Sequence, residues 1–180
     1  VGVAYEFTKP VSIYGIWFAR LLANKLAGTF LRFVPIILVV LFLPKAYMLG
    51  APASIWSFIL FLLTLILGTI LVIGIAMLIY VIMFYTTSSK GLFNVYAVIA
   101  EFFAGSVVPI PFMPSWLQNI CYILPFRLSF DLPFRVYTGN ISVSQGIVSV
   151  LTQLVWIVII VCIGNLLINH ATKKLVIQGG

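Results

Sequence analysis

The stretch AGSVVPIPFMPSWLQNICYILPFRLSFDLPF, Ala104 to Phe134, decides the fold, because it is apolar enough for a membrane yet holds five of the nine prolines. Proline lacks a backbone N–H and its ring clashes with the preceding turn. Pro109, Pro111, Pro114, Pro125 and Pro133 must therefore break the stretch into short pieces. Non-helical backbone at membrane depth survives only where protein buries it or where it lines a cavity. The stretch points to a transport machine more than to a simple anchor.

The rest of the chain agrees with a membrane setting. Of 180 residues, 63% are hydrophobic and 7% charged, against about a quarter charged in a soluble domain. The expected fold class is an all-α integral membrane protein. A net charge of +7 would suggest nucleic acid in a soluble protein. Ten basic residues scattered between apolar runs read instead as topology signals, and no nucleic-acid partner is expected. Cys121 and Cys162 lie in different segments with only His170 as a nitrogen ligand, so neither a metal site nor a disulfide framework follows. The chain starts at Val1 without a secretory signal pattern, and the natural protein is expected to begin further upstream.

Working toward the amino terminus, Val11 to Ala27 mixes Ile13, Ile16, Trp17, Leu21, Leu22 and Leu26 with Arg20, Asn24 and Lys25, the pattern of an amphipathic interfacial helix. From Gly28 the apolar density rises to Pro44, so this helix is read as turning into a span, with Pro35 as a kink and Arg32 snorkelling. One long tilted helix is the alternative. Pro44 to Ala53 reads as a loop, and Ser54 can cap the next helix. That helix, Ile55 to Tyr85, is uncharged and about 46 Å long, more than the ~30 Å a hydrocarbon core needs. It must tilt, bend near Gly68 or Gly74, or protrude. Thr86 to Gly91 reads as a polar turn, and Leu92 to Val108 as a further span with Glu101 near its middle. Beyond the proline-rich stretch, Tyr137 to Ser144 connects to a last span, Ile147 to Asn169.

The reading is thus about four transmembrane helices, an interfacial helix and a broken hairpin. With the amino-terminal side cytoplasmic, Lys9, Arg20, Lys25, Arg32, Lys90, Lys173 and Lys174 lie inside, and Lys45, Arg127 and Arg135 outside. Seven against three supports that orientation. It makes the protein multi-pass in the cell membrane with cytoplasmic termini and places the hairpin outside.

Three places carry a resemblance to the membrane subunits, or permeases, of bacterial ABC-2 type exporters. FTKPVS, Phe7 to Ser12, resembles the "LLRPVS" stretch that follows the second span in one branch of these permeases, with Thr8-Lys9 where Leu-Arg is usual. Phe102 to Ser142 resembles that branch's order of small residue, Gly, "(I/V)P", "lP-W", "lPF" and "P…Y-x-G". KKLVIQGG, Lys173 to Gly180, is similar to its basic-apolar-Gln-Gly-Gly tail. Two spans are expected before the first motif, so the chain looks like the last two-thirds of a six-span permease.

The resemblance implies a single permease domain over residues 1–180. It would pair with a second permease chain, as homo- or heterodimer, and be driven by cytoplasmic ABC ATPase subunits, with membrane lipid around it. The chain itself would not be an enzyme and would hold no cofactor, with ATP and Mg on the partner. The sequence agrees, having no GxxxxGK(S/T) loop. Residues 1–27 would couple to the ATPase, through Lys9, Pro10, Arg20 and Lys25. Residues 104–138 would form an outer-side re-entrant hairpin with Gly105, Pro109, Pro111, Pro114, Trp116 and Pro125 at the exit. Glu101 is the acidic residue inside a span and needs a partner or a proton. Arg127, Asp131 and Arg135 recur every four residues, on one face if the segment is helical, and could pair with one another or receive an anionic group. The competing reading is a membrane-embedded assembly or immunity protein without transport. An intramembrane enzyme is disfavoured, since no nucleophile–base set or paired acids fall inside the spans.

Overall fold

The computed structural model describes residues 13–42, 44, 50–83 and 89–178. The chain divides into two compact units, Val1–Ala51 and Pro52–Gly180. In the first unit, α1 is one helix, Ile13–Leu41, with Pro35 inside it. The boundary expected at Ala27 is therefore absent. Gly28 costs a helix only about 1 kcal/mol relative to alanine, too little to divide a run of strong helix formers. Pro35 removes the bond to the Leu31 carbonyl without ending the helix.

The second unit is built on α2 (Ile55–Met83) and α6 (Val143–Gln178). Ser54 caps α2 as expected: its Oγ accepts the Ser57 N–H at 3.0 Å. α2 is continuous through Gly68 and Gly74, and both glycines serve packing, not bending. A Cβ on Gly74 would lie 3.0 Å from Ile160 Cγ2, and one on Gly146 3.1 Å from Leu60 Cδ1. The pairs Leu60–Gly146, Thr64–Gln153 and Gly74–Ile160 advance together along both helices, so α2 and α6 lie side by side and parallel. α6 begins before the expected Ile147 because Ser142 and Gln145 form a capping box. The Ser142 N–H donates to Gln145 Oε1 at 3.2 Å, and the Gln145 N–H to Ser142 Oγ at 3.4 Å.

Parallel neighbours force the chain to return between them. It does so through α3 (Ser89–Ala104), two 3-10 turns, η1 (Ile110–Phe112) and η2 (Pro125–Ser129), and two short helices, α4 (Ser115–Ile123) and α5 (Asp131–Tyr137). α3 starts beside the far end of α2, where Phe93 packs 5.5 Å from Tyr80. The return finishes at the near end, where the Ala53 N–H donates to the Tyr137 carbonyl at 3.1 Å. Leu60, Leu71, Ile75, Leu128, Leu132, Val136 and Ile160 form the core at the meeting of α2, η2, α5 and α6. A smaller cluster of Ile110, Met113 and Cys121 fills the fold of η1 against α4.

Among the described residues, two of the four expected spans, Ile55–Met83 and Val143–His170, are helices long and apolar enough to cross a membrane. α3 has 16 residues, about 24 Å, and stops at Ala104 instead of Val108. The start of α3 at Ser89 also takes in residues assigned to the polar turn.

Candidate functional site

The prolines determine where each piece of the return begins. Pro109 and Pro114 are the N-caps of η1 and α4, Pro111 lies within the first turn of η1, and Pro125 opens η2. Pro133 is the third residue of α5. The first N–H groups of any helix lack an internal partner, so these positions lose nothing by having proline there. Gly105 ends α3 with φ +80°. Its N–H bonds the Phe102 carbonyl at 3.1 Å and the Ser106 N–H bonds the Glu101 carbonyl at 3.2 Å, the paired bonds of a Schellman cap.

A chain broken this often has carbonyls that no helix satisfies. Side chains satisfy them. Ser106 Oγ donates to the Glu101 carbonyl at 2.8 Å, and Ser129 Oγ to that of Phe126 at 2.6 Å. Gln118 Nε2 donates to the Met113 carbonyl at 2.8 Å and to that of Pro111 at 3.3 Å. Gln153, on α6 and 0% exposed, gives its Nε2 protons to the carbonyls of Thr64 on α2, at 2.9 Å, and Leu128 on η2, at 2.8 Å. One amide thus ties three elements.

Gly68 completes that joint. An added Cβ would stand 2.9 Å from Ser129 Cα and 3.1 Å from the Leu128 oxygen, so η2 lies with its backbone directly against α2. Gly68 is thirteen residues into α2, about 20 Å from its start. η2 is therefore seated near the middle of α2 and against Gln153, about 15 Å into α6, while α5 climbs back to their shared end. Phe103, near the end of α3, stacks on Phe126 of η2 at 6.3 Å.

Beside this joint sits a polar cluster. Arg127 Cζ lies 4.7 Å from the centre of the Tyr122 ring, and Arg135 Nη1 donates to Tyr122 Oη at 3.3 Å. The same Nη1 is 3.7 Å from Asp131 Oδ2. Arg127 Nε and Asp131 Oδ2 are both buried without a hydrogen bond.

The residues singled out in the sequence do not all meet. Arg127, Asp131 and Arg135 gather on one side, but around Tyr122 of α4, and Arg127 belongs to η2 and not to the helix of the other two. Gly105, Pro109, Pro111, Pro114 and Pro125 shape the return, and Trp116 is 64% exposed on α4. Glu101 is exposed in the last turn of α3, not at the middle of a helix. Arg20 and Lys25 are exposed on α1, and Lys9 and Pro10 lie outside the described residues. Sequence reasoning missed Gln153, whose signal was a lone amide side chain amid an apolar run. It also missed the S-x-x-Q pattern at Ser142, and Tyr122, which no spacing links to the arginines.

No curated protein and no solved structure matched the chain. A protein-family profile described as "ABC-2 family transporter protein" matches residues 5–179. With a buried joint holding a broken return between two long apolar helices, and a profile matching almost its whole length, this chain belongs to the ABC-2 family of transporter membrane proteins.

Proposed function

We propose that this chain is a multi-pass permease subunit of an exporter in the cell membrane, moving its substrate with ATP hydrolysed by a separate cytoplasmic subunit. In this reading α2 and α6 cross the bilayer in the same direction. The return is a third crossing, made by α3 and finished by the proline-broken stretch. Basic-residue asymmetry puts the start of α2 and of α6 on the outer side, so η2 and α5 form a hairpin that dips in from outside and comes back. A second permease chain completes the path, and the exposed basic residues of α1 lie on the side where the ATPase docks.

The observation that carries this reading is the seating of η2 deep between α2 and α6, about 20 Å along α2 and about 15 Å along α6, with its backbone on Gly68 and its Leu128 carbonyl satisfied by Gln153. Irregular backbone at that depth needs every polar group answered. A chain with no task beyond anchoring would have no reason to build it. The hairpin blocks the outer end of the path at rest and moves during turnover.

The experiment is cysteine labelling at Ser115 from outside, in the assembled complex with its ATPase and on a Cys162→Ser background. Labelling rates that change between resting and ATP-hydrolysing states support gating. Equal rates in every state refute it. Failure of any ATPase subunit to co-purify with a folded, membrane-inserted chain would refute the permease assignment itself.

A further inference from the structure

The polar cluster on the return is not used by the joint described above, and its charge does not balance. Arg127 and Arg135 bring two positive charges to one tyrosine ring, and Asp131 supplies a single negative one. Among the described residues, Asp131 lies within ion-pair range of Arg135 alone. Arg127 lies over the ring face of Tyr122, and among the described residues its buried Nε has no hydrogen-bond acceptor. A guanidinium carries five donors in a planar fork suited to two oxygens of one anion. The Tyr122 hydroxyl accepts from Arg135 and keeps its own proton to donate.

We infer that Arg127, Arg135 and Tyr122 form a binding site for a phosphate-type anion, one that supplies the negative charge the cluster lacks. The surroundings say what carries the anion. Ile123, next to Tyr122, is 73% exposed, and Phe130 and Phe134, each one residue before a member of the cluster, are 41% and 48% exposed. Phe130 and Phe134 pack 5.1 Å apart with their rings tilted by 59°, and Phe134 also meets Phe61 of α2 at 6.2 Å. Two cations on a stretch that also exposes apolar side chains match an amphiphile with an anionic head and an apolar tail. The shared chemistry is the phosphate, whether borne by a lipid headgroup or free in water. The site stands on the cluster geometry alone and does not depend on the chain exporting anything.

The test places the full-length protein in nanodiscs of neutral phosphatidylcholine, with and without 20–30% (roughly) phosphatidylglycerol, and measures thermal unfolding and retained lipid. Inorganic phosphate is titrated into the neutral discs as a second arm. Anionic lipid should be retained by the wild type and raise its unfolding temperature. Arg127→Gln, Arg135→Gln and Tyr122→Phe should each weaken retention, the arginine variants by about tenfold or more. Arg127→Lys keeps the charge without the fork and should recover part of the binding, which separates loss of a site from loss of folding. Stabilisation by inorganic phosphate that the same variants abolish would support the site with a free anion as occupant. Equal retention in wild type and all three variants, with no response to phosphate, would overturn it.

Discussion

Replacing Gly68 with alanine tests whether that glycine is there for contact or for flexibility. The two alternatives differ in sign. Alanine favours a helix interior over glycine by about 1 kcal/mol, so a glycine that merely interrupts α2 would give a more stable protein on substitution. At Gly68 the new methyl would sit 2.9 Å from Ser129 Cα, 3.1 Å from the Leu128 oxygen and 3.3 Å from the Ser129 oxygen. Comfortable carbon contacts begin near 3.5 Å, so η2 must retreat by roughly 0.5 Å. All three neighbours are backbone and cannot rotate aside. The retreat also stretches the 2.8 Å bond from Gln153 to Leu128. Overpacking costs of about 1–3 kcal/mol and a weakened buried bond of about 1 kcal/mol outweigh the helix gain. The expected result is a net loss of about 1–3 kcal/mol, or a fall of about 3–10 °C in unfolding temperature for a chain this size.

Two further substitutions serve as internal standards in the same assay, thermal unfolding of the detergent-solubilised or nanodisc-held protein. Gly28→Ala has nothing within 4 Å to meet and should be stabilised by up to about 1 kcal/mol. Gly74→Ala meets only Ile160 Cγ2 at 3.0 Å, a side-chain atom that can shift, and should fall between the two. If Gly68→Ala proves as stable as Gly28→Ala, the close seating of η2 on α2 is wrong.

Gln153→Glu should be far more harmful than Gln153→Leu. The carboxylate faces two carbonyl oxygens with no proton to offer and costs several kcal/mol, while leucine also removes the unsatisfied Oε1 and should cost about 1–2 kcal/mol; the two unfolding midpoints compare them. Gly105→Ala forces a side chain into φ +80° and should destabilise by about 1–2 kcal/mol, read as earlier proteolysis between α3 and α4. Ser142→Ala removes the cap of α6 and should lower stability by about 1 kcal/mol, with faster amide exchange confined to the first turn of that helix.

The sequence was most legible where one rule acts alone. Five prolines in an apolar setting announced a broken segment, and each one lies at the N-cap or in the first turn of a short helix or 3-10 turn. Ser54 announced the start of α2. The end of α3 was less legible, because hydropathy ignores where a helix stops: Leu92 to Val108 is largely apolar, yet Gly105 ends the helix there through a Schellman cap. Gly28 and Pro35 misled in the opposite direction, since neither disturbs its neighbours enough to divide α1. The joint could not be read at all. Gln153, Gly68 and Leu128 are scattered along the chain, and only the parallel packing of α2 and α6 brings them together. The arginines fell at a helical interval, but Tyr122, which organises them, comes from another helix.

The central claim is that the proline-broken stretch enters the membrane and leaves it on one side, between two parallel spans. Membrane-impermeant maleimide applied to intact cells tests it, using single cysteines at Ser115, before the dip, at Asn140, after it, and at His170, near the far end of α6, on a Cys162→Ser background. The account predicts labelling of the first two from outside and of the third only after permeabilisation. Labelling of Ser115 and Asn140 from opposite sides would contradict it.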